Sequence, residues 1–173
     1  GSLKASYMPV QDDTADAVYM YEDCTIHPAV GEFDWLPLYE DMRTQDMLEI
    51  IGLGQHPRTA LQESYRVSEE AWTIHMPDLR MVGSFGVSQA IRQPHVGVIW
   101  LLGTHRMHLI KRTFIKRSKE WIDRLMGDYN VLTNYVMESN ELSVRWLTWL
   151  GATFSDVGID GYKQFHIYKN NNS

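Results

Sequence analysis

Apolar positions recur along the chain in two periods, and the points where the period changes divide it into elements. Ala71 to Met76 and Met81 to Val87 alternate, and the tight connection "PDLR" between them is that of a hairpin. Val98 to Leu102 is apolar throughout, as a strand covered on both faces must be. Thr25 to Val30 reads as a short strand broken at Pro28. Between these strands the period lengthens. Trp35, Leu36, Tyr39 and Met42 share one helical face, with Pro37 in a first turn. Thr44 to Ile51 has a threonine N-cap, acidic residues early and an end at Gly52 and Gly54. Thr59 to Tyr65 continues helically, with Ser68 capping a further turn.

In the second half, Thr104 to Met126 carries Met107, Ile110, Phe114, Trp121, Ile122 and Leu125 at helical spacing and predicts one long helix. Val131 to Glu138 is then a strand and Asn140 to Leu150 a helix. Thr153 to Val157 and Tyr162 to Tyr168 form a closing hairpin around "GIDG". Hairpins followed by strands that alternate with helices imply an α/β architecture, a mixed sheet with helices on its faces. Residues 1–23 are acidic and weakly patterned and read as an arm, 24–169 as one domain, and 170–173 as a disordered tail. Gly1-Ser2 reads as a cloning remnant, with Met8 as the natural start.

Composition narrows the function classes. A formal charge of −6 and a pI near 5.6 disfavour a duplex-DNA binder, and the 173 residues, 44% hydrophobic, suffice for a real core. The single Cys24 excludes an intrachain disulfide and fits a reducing cytosol. The longest apolar run, Val96 to Gly103, is far shorter than the roughly 20 residues of a membrane helix.

Two strand-to-helix junctions, at Gly103-Thr104 and Ser139-Asn140, are where such sheets collect ligands, because helix N-terminal N–H groups attract anions. After the first, Lys111, Arg112, Lys116, Arg117 and Lys119 make a basic face, which is either a solvated surface or an attraction for an acidic cofactor or nucleic-acid backbone. At the second, Asn140 either caps its own helix or reaches a ligand amide, and Arg145 pairs with a phosphate or a surface carboxylate. Trp146, Leu147, Trp149 and Leu150 read as core. Cys24 lacks a defined base and reads as a small core residue. His105 and His108 share a helical face, but no further ligand set completes a metal site, and none is expected. His27, His75 and His166 read as structural or pocket-lining. Glu138, beside the second junction, is the one carboxylate singled out as a base.

The words "TIHPA", "DMLEIIGLGQHPRTAL", "SEEAW", "MVGSFGV", "VIWLLGT" and "NELSVRWLTWLGATF", in this order from about Cys24 to Lys169, resemble the GNAT N-acetyltransferase fold. More closely they resemble the acetyltransferase-like proteins of tailed bacteriophages, the group containing the internal virion protein of short-tailed phages. The resemblance implies a mostly antiparallel sheet of about six to seven strands, and acetyl-CoA held between the fourth and fifth strands and at the following turn. Carried over, the cofactor would meet Leu101, Leu102, Gly103, Thr104, His105, Arg106, Met107, Asn140 and Ser143, with Glu138 as base. It also implies an amine acceptor, or a phage or host protein as partner, with a second copy of the chain a further possibility. The expected location is the host bacterial cytoplasm or the virion. The sequence departs from the family pattern at two places. The turn "GTHRMHLIKR" has one glycine where the family's is glycine-rich, and Leu147 stands where many of these enzymes carry a tyrosine that protonates the thiolate. Two functions follow: an acyl-CoA-dependent N-acyltransferase, or a non-catalytic phage internal virion or assembly protein using the fold as a binding scaffold.

Overall fold

The computed structural model describes residues 17–170. Its strands are β1 (Tyr19–Met20), β2 (Thr25–Pro28), β3 (Glu70–His75), β4 (Met81–Ala90), β5 (Gln93–Gly103), β6 (Val131–Met137), β7 (Thr153–Asp156) and β8 (Tyr162–Tyr168). The helices are α1 (Gly31–Glu40), α2 (Thr44–Gly52), α3 (Pro57–Val67), α4 (Lys111–Met126) and α5 (Glu141–Trp149). The eight strands form one sheet in the order β1-β2-β3-β4-β5-β6-β8-β7. Among the described residues, each pairing is antiparallel except β5 with β6, whose connection runs through α4. The mixed, mostly antiparallel architecture is thus the expected one, with a slightly higher strand count. No helix among the described residues is long and apolar enough to cross a membrane.

Strand alternation sends side chains to two cores. On one face, Ile74, Phe85, Val87, Ile99, Leu132, Val136, Phe165 and Ile167 pack against Trp121, Ile122 and Leu125 of α4 and Leu147 of α5. On the other, Trp35, Leu38, Ile50 and Leu61 of α1, α2 and α3 pack on Met81, with Leu102 beside them. Val82 makes the change of phase possible. The β3–β4 ladder pairs Ile74 with Gly83 and His75 with Met81, which leaves Val82 as an unpaired bulge residue.

Residues 17–23, assigned to the arm on sequence, belong to the sheet and core. Tyr19 and Met20 pair with Ile26 and Thr25, and Ala17 and Tyr19 are buried. The rest of the expected arm, residues 1–16, and Asn171–Ser173 of the expected tail lie outside the described residues. Strand β1 is held by Arg124 of α4. Its guanidinium lies 5.6, 4.8 and 5.7 Å from the ring centroids of Tyr19, Trp72 and Trp121, donates to the Tyr19 hydroxyl at 2.6 Å, and pairs with Glu70 at 2.8 Å.

Three boundaries differ from the sequence pattern. The helix expected from Thr104 to Met126 is a 3-10 segment over His105–Ile110 followed by α4, because Thr104 closes tight turns at its start: its hydroxyl accepts from Arg106 N and its carbonyl from Met107 N. β5 begins at Gln93 rather than Val98, since the chain reverses at Ile91-Arg92 with Arg92 at φ +62. Ser68 starts no turn; it ends α3, with its hydroxyl donating to the Ser64 carbonyl and accepting from the Trp100 indole.

Candidate functional site

The parallel pair sets the site. β5 and β6 are in register only at Val96, Gly97 and Val98 opposite Val131, Leu132 and Thr133, and beyond that point they diverge. Asn134 Nδ2 spans the first step of the gap by donating to the Ile99 carbonyl at 2.6 Å. The Ile99 carbonyl therefore faces β6, and by the two-residue alternation so do the peptide groups of Leu101 and Gly103. The splay opens into a cleft of about 780 Å³, lined by β5, β6, α2, α4 and α5. Its walls are mainly apolar. Phe114 and Trp146 stack with centroids 4.9 Å apart, and Trp146 Nε1 is a buried donor with no partner among the described residues.

Helix α2 lies across the open end of the splay and ties its two strands together. Asp46 Oδ2 accepts the Gly103 N–H at 2.8 Å, and Glu49 Oε2 accepts the Met137 N–H at 2.9 Å. The two carboxylates are three residues apart and so share a helix face. The Gly103 carbonyl is also taken, by Arg43 N at 2.8 Å, and Arg43 pairs with Asp46 at 3.2 Å. Burial pushes the Asp46 carboxyl up to about 6, against the pull of Arg43 and the Gly103 N–H. Burial also raises Glu49, opposed by the Met137 N–H. Of the β5 peptide groups that face β6 past Ile99, only those of Leu101 lack a bond to α2 or its flanking residue.

The turn expected to hold pyrophosphate is bonded to itself and to the sheet. Thr104 N donates to the Val82 carbonyl at 2.8 Å, Arg106 N to Thr104 Oγ1 at 3.1 Å and Met107 N to the Thr104 carbonyl at 3.1 Å. Thr104 is fully buried, and its hydroxyl reaches the Met81 and Val82 carbonyls at 3.0 Å. Arg106 points away from the turn and donates to Asp41 and to the Met81 carbonyl. A Cβ at Gly103 would overlap the Met107 side chain, which covers the turn.

Of the ten residues proposed from sequence, Leu101, Leu102, Gly103, Thr104, His105, Met107 and Ser143 line the cleft. Arg106, Asn140 and Glu138 do not. Glu138 is exposed and sits 3.7 Å from Lys163. Asn140 is buried and caps α5, its Oδ1 accepting from Ser143 N at 3.3 Å, while its Nδ2 stands beside Glu49 without closing a hydrogen bond of normal geometry. Leu147 packs into the main core at 3% exposure. The basic face is partly engaged, since Arg117 pairs with Glu120 and lies over Tyr21 and Lys119 lies over Trp149. Cys24 is buried and burial pushes its thiol up, away from the thiolate a nucleophile needs. Asp46 and Glu49 were not singled out in the sequence. Their signal was the phase they share with buried Ile50 on an amphipathic helix, where a carboxylate must find donors.

Residues 84–157 match the family described as "Bacteriophage T7, probable scaffold protein Gp13". The structure is similar to the GNAT domain of PAT from S. lividans, at 12% identity and a TM-score of 0.65, over 94% of this chain and 96% of that one. It is also similar to a GNAT-family acetyltransferase from Bacillus anthracis, at 12% identity and a TM-score of 0.60, over 87% and 98% of the two chains. AAC(6')-Ib, solved with ribostamycin and coenzyme A, is similar at 17% identity and a TM-score of 0.63, over 88% and 99%. No curated protein matches the sequence. The chain therefore has the GNAT fold, and its family match is to a phage protein.

Proposed function

We propose that this GNAT-fold chain acts as a phage assembly or internal virion protein that uses the fold as a binding scaffold, rather than as an acetyltransferase. The match of residues 84–157 to a phage scaffold family supports the phage side of this reading. One observation carries the non-catalytic side: four of the five N–H groups in the turn from Gly103 to Met107 are committed. Gly103, Thr104, Arg106 and Met107 donate to Asp46, Val82, the Thr104 hydroxyl and the Thr104 carbonyl. A pyrophosphate is held by free, convergent N–H groups in a concave turn. Here it would meet the Asp46 carboxylate and the Met107 side chain instead. The residues present do not fit the phosphates of coenzyme A, and no acyl-transfer step runs through it.

The acid and base positions agree with this reading. Leu147 has no proton to give, and Glu138 lies outside the cleft on the surface. What remains is an apolar cleft with an indole donor unpaired among the described residues and a strand edge at Leu101, which suits an extended or aromatic segment of a partner protein. Isothermal titration with acetyl-CoA tests the proposal, with no saturable heat expected at millimolar ligand on the folded chain. A dissociation constant below about 100 μM, a free energy near −5.5 kcal/mol, would overturn the scaffold reading and restore the acyltransferase. Mass spectrometry of phage particles and assembly intermediates tests the other half; the chain is expected there, and its absence from both would sink the assembly role.

A further inference from the structure

Away from the cleft, His27 of β2, His75 of β3 and Asp34 of α1 converge on the α1 side of the sheet, with one donor atom from each lying within 4.8 Å of the others. The hydrogen bonds fix which nitrogens carry lone pairs. His27 Nδ1 lies 2.9 Å from the Pro28 carbonyl, which can only accept, so in the neutral ring Nδ1 holds the proton and Nε2 is bare. His27 Nε2 in turn lies 2.8 Å from His75 Nδ1, which must then be the donor, and this leaves His75 Nε2 bare as well. That bare nitrogen faces Asp34 Oδ1 at 3.7 Å. Two acceptors thus confront each other, and the separation is longer than the ~2.7–3.2 Å of an N–H···O bond.

The separation suits a cation between them. Ligand bonds of about 2.0–2.2 Å in a tetrahedron put neighbouring donor atoms about 3.4 Å apart. Asp34 is already held in position. It is 4% exposed, and its other oxygen accepts from Val30 N at 2.6 Å and Thr73 Oγ1 at 3.1 Å. A ring N–H tied to a backbone carbonyl, as in His27, is the usual support behind a metal-binding histidine. We infer that His75 Nε2, Asp34 Oδ1 and His27 Nε2 form a site for one divalent transition ion of the zinc class. His27 exchanges its bond to His75 for the ion, and solvent fills the fourth position. Both histidines are partly exposed, so the ion has a way in. Two nitrogens and one oxygen select such an ion over magnesium or calcium, which take oxygen sets.

Titration of the untagged chain with Co(II) tests this, because four-coordinate cobalt gives visible ligand-field absorption. The expected result is saturation at one ion per chain, with the band lost on adding Zn(II). His75→Gln and His27→Gln are each expected to weaken binding at least ~10-fold. The doubly substituted His105→Gln, His108→Gln chain is expected to bind like the parent. Absence of a saturable band in the parent chain overturns the proposal whatever the variants do, and leaves the three residues as a hydrogen-bonded structural relay. An affinity left unchanged by His75→Gln, or a band that disappears in the His105, His108 variant, overturns it equally.

Discussion

The two strand-to-helix junctions of the second half sit side by side in the sheet and differ in how far other elements claim their N–H groups. At the second, between β6 and α5, Asn140 caps the helix in the ordinary manner and its amide nitrogen is left over. At the first, between β5 and the 3-10 segment, Thr104, the bulged strand β4 and Asp46 of α2 take the N–H groups of Gly103, Thr104, Arg106 and Met107. The lesson is that a helix N-terminus offers an anion site only while its donors stay unclaimed. Topology alone does not decide that.

The largest test of this contrast is the pH dependence of Asp46. Its carboxyl is raised from 3.8 to about 6 in the fold, so the folded state holds the proton more tightly than the unfolded chain. The sign follows from linkage: this group's contribution to stability is greatest below pH 3.8 and declines as pH rises towards 6. The shift corresponds to up to about 3 kcal/mol. Urea unfolding at pH 4 and pH 7 should show the parent chain losing up to that amount relative to Asp46→Asn, which keeps an acceptor for Gly103 N without the charge. Parallel profiles for the two chains would mean that the carboxylate is not buried on Gly103, and the first junction would be open after all.

Thr104→Val comes next. It keeps the shape but removes the hydroxyl that joins Arg106 N to the Met81 and Val82 carbonyls, and should cost about 2 kcal/mol in chemical denaturation. Asn140→Ala should cost less, about 1 kcal/mol, as the loss of a helix cap does. A reversed order would place the rigid junction at α5 instead.

Much of the fold could be read from the apolar periods, because each strand and helix that packs on the sheet writes its phase into the sequence. Both closing strands, the β3–β4 hairpin and α5 are where the pattern puts them. The misses share a cause, namely contacts between segments distant in sequence. Tyr19 looked like part of an acidic arm because its partners, Arg124 and Trp121, lie about a hundred residues away. Asp46 looked like an ordinary early-turn acid and Glu49 was not singled out, because Gly103 N and Met137 N, which they satisfy, come from strands distant in sequence. Asn140 was legible as a cap, and that is the role the geometry gives it. Glu138 was chosen for its nearness to a junction, yet the strand carries it past the cleft to the surface.

The Arg124 cluster has an optical consequence. Trp72 and Trp121 stand 5.0 Å apart and both enclose Tyr19, so the docking of β1 controls the solvent contact of two of the chain's six indoles. Their emission will shift to longer wavelength when that strand lifts away, even while the rest of the sheet stays intact. The protein thus carries its own fluorescent reporter for the docking of its first strand.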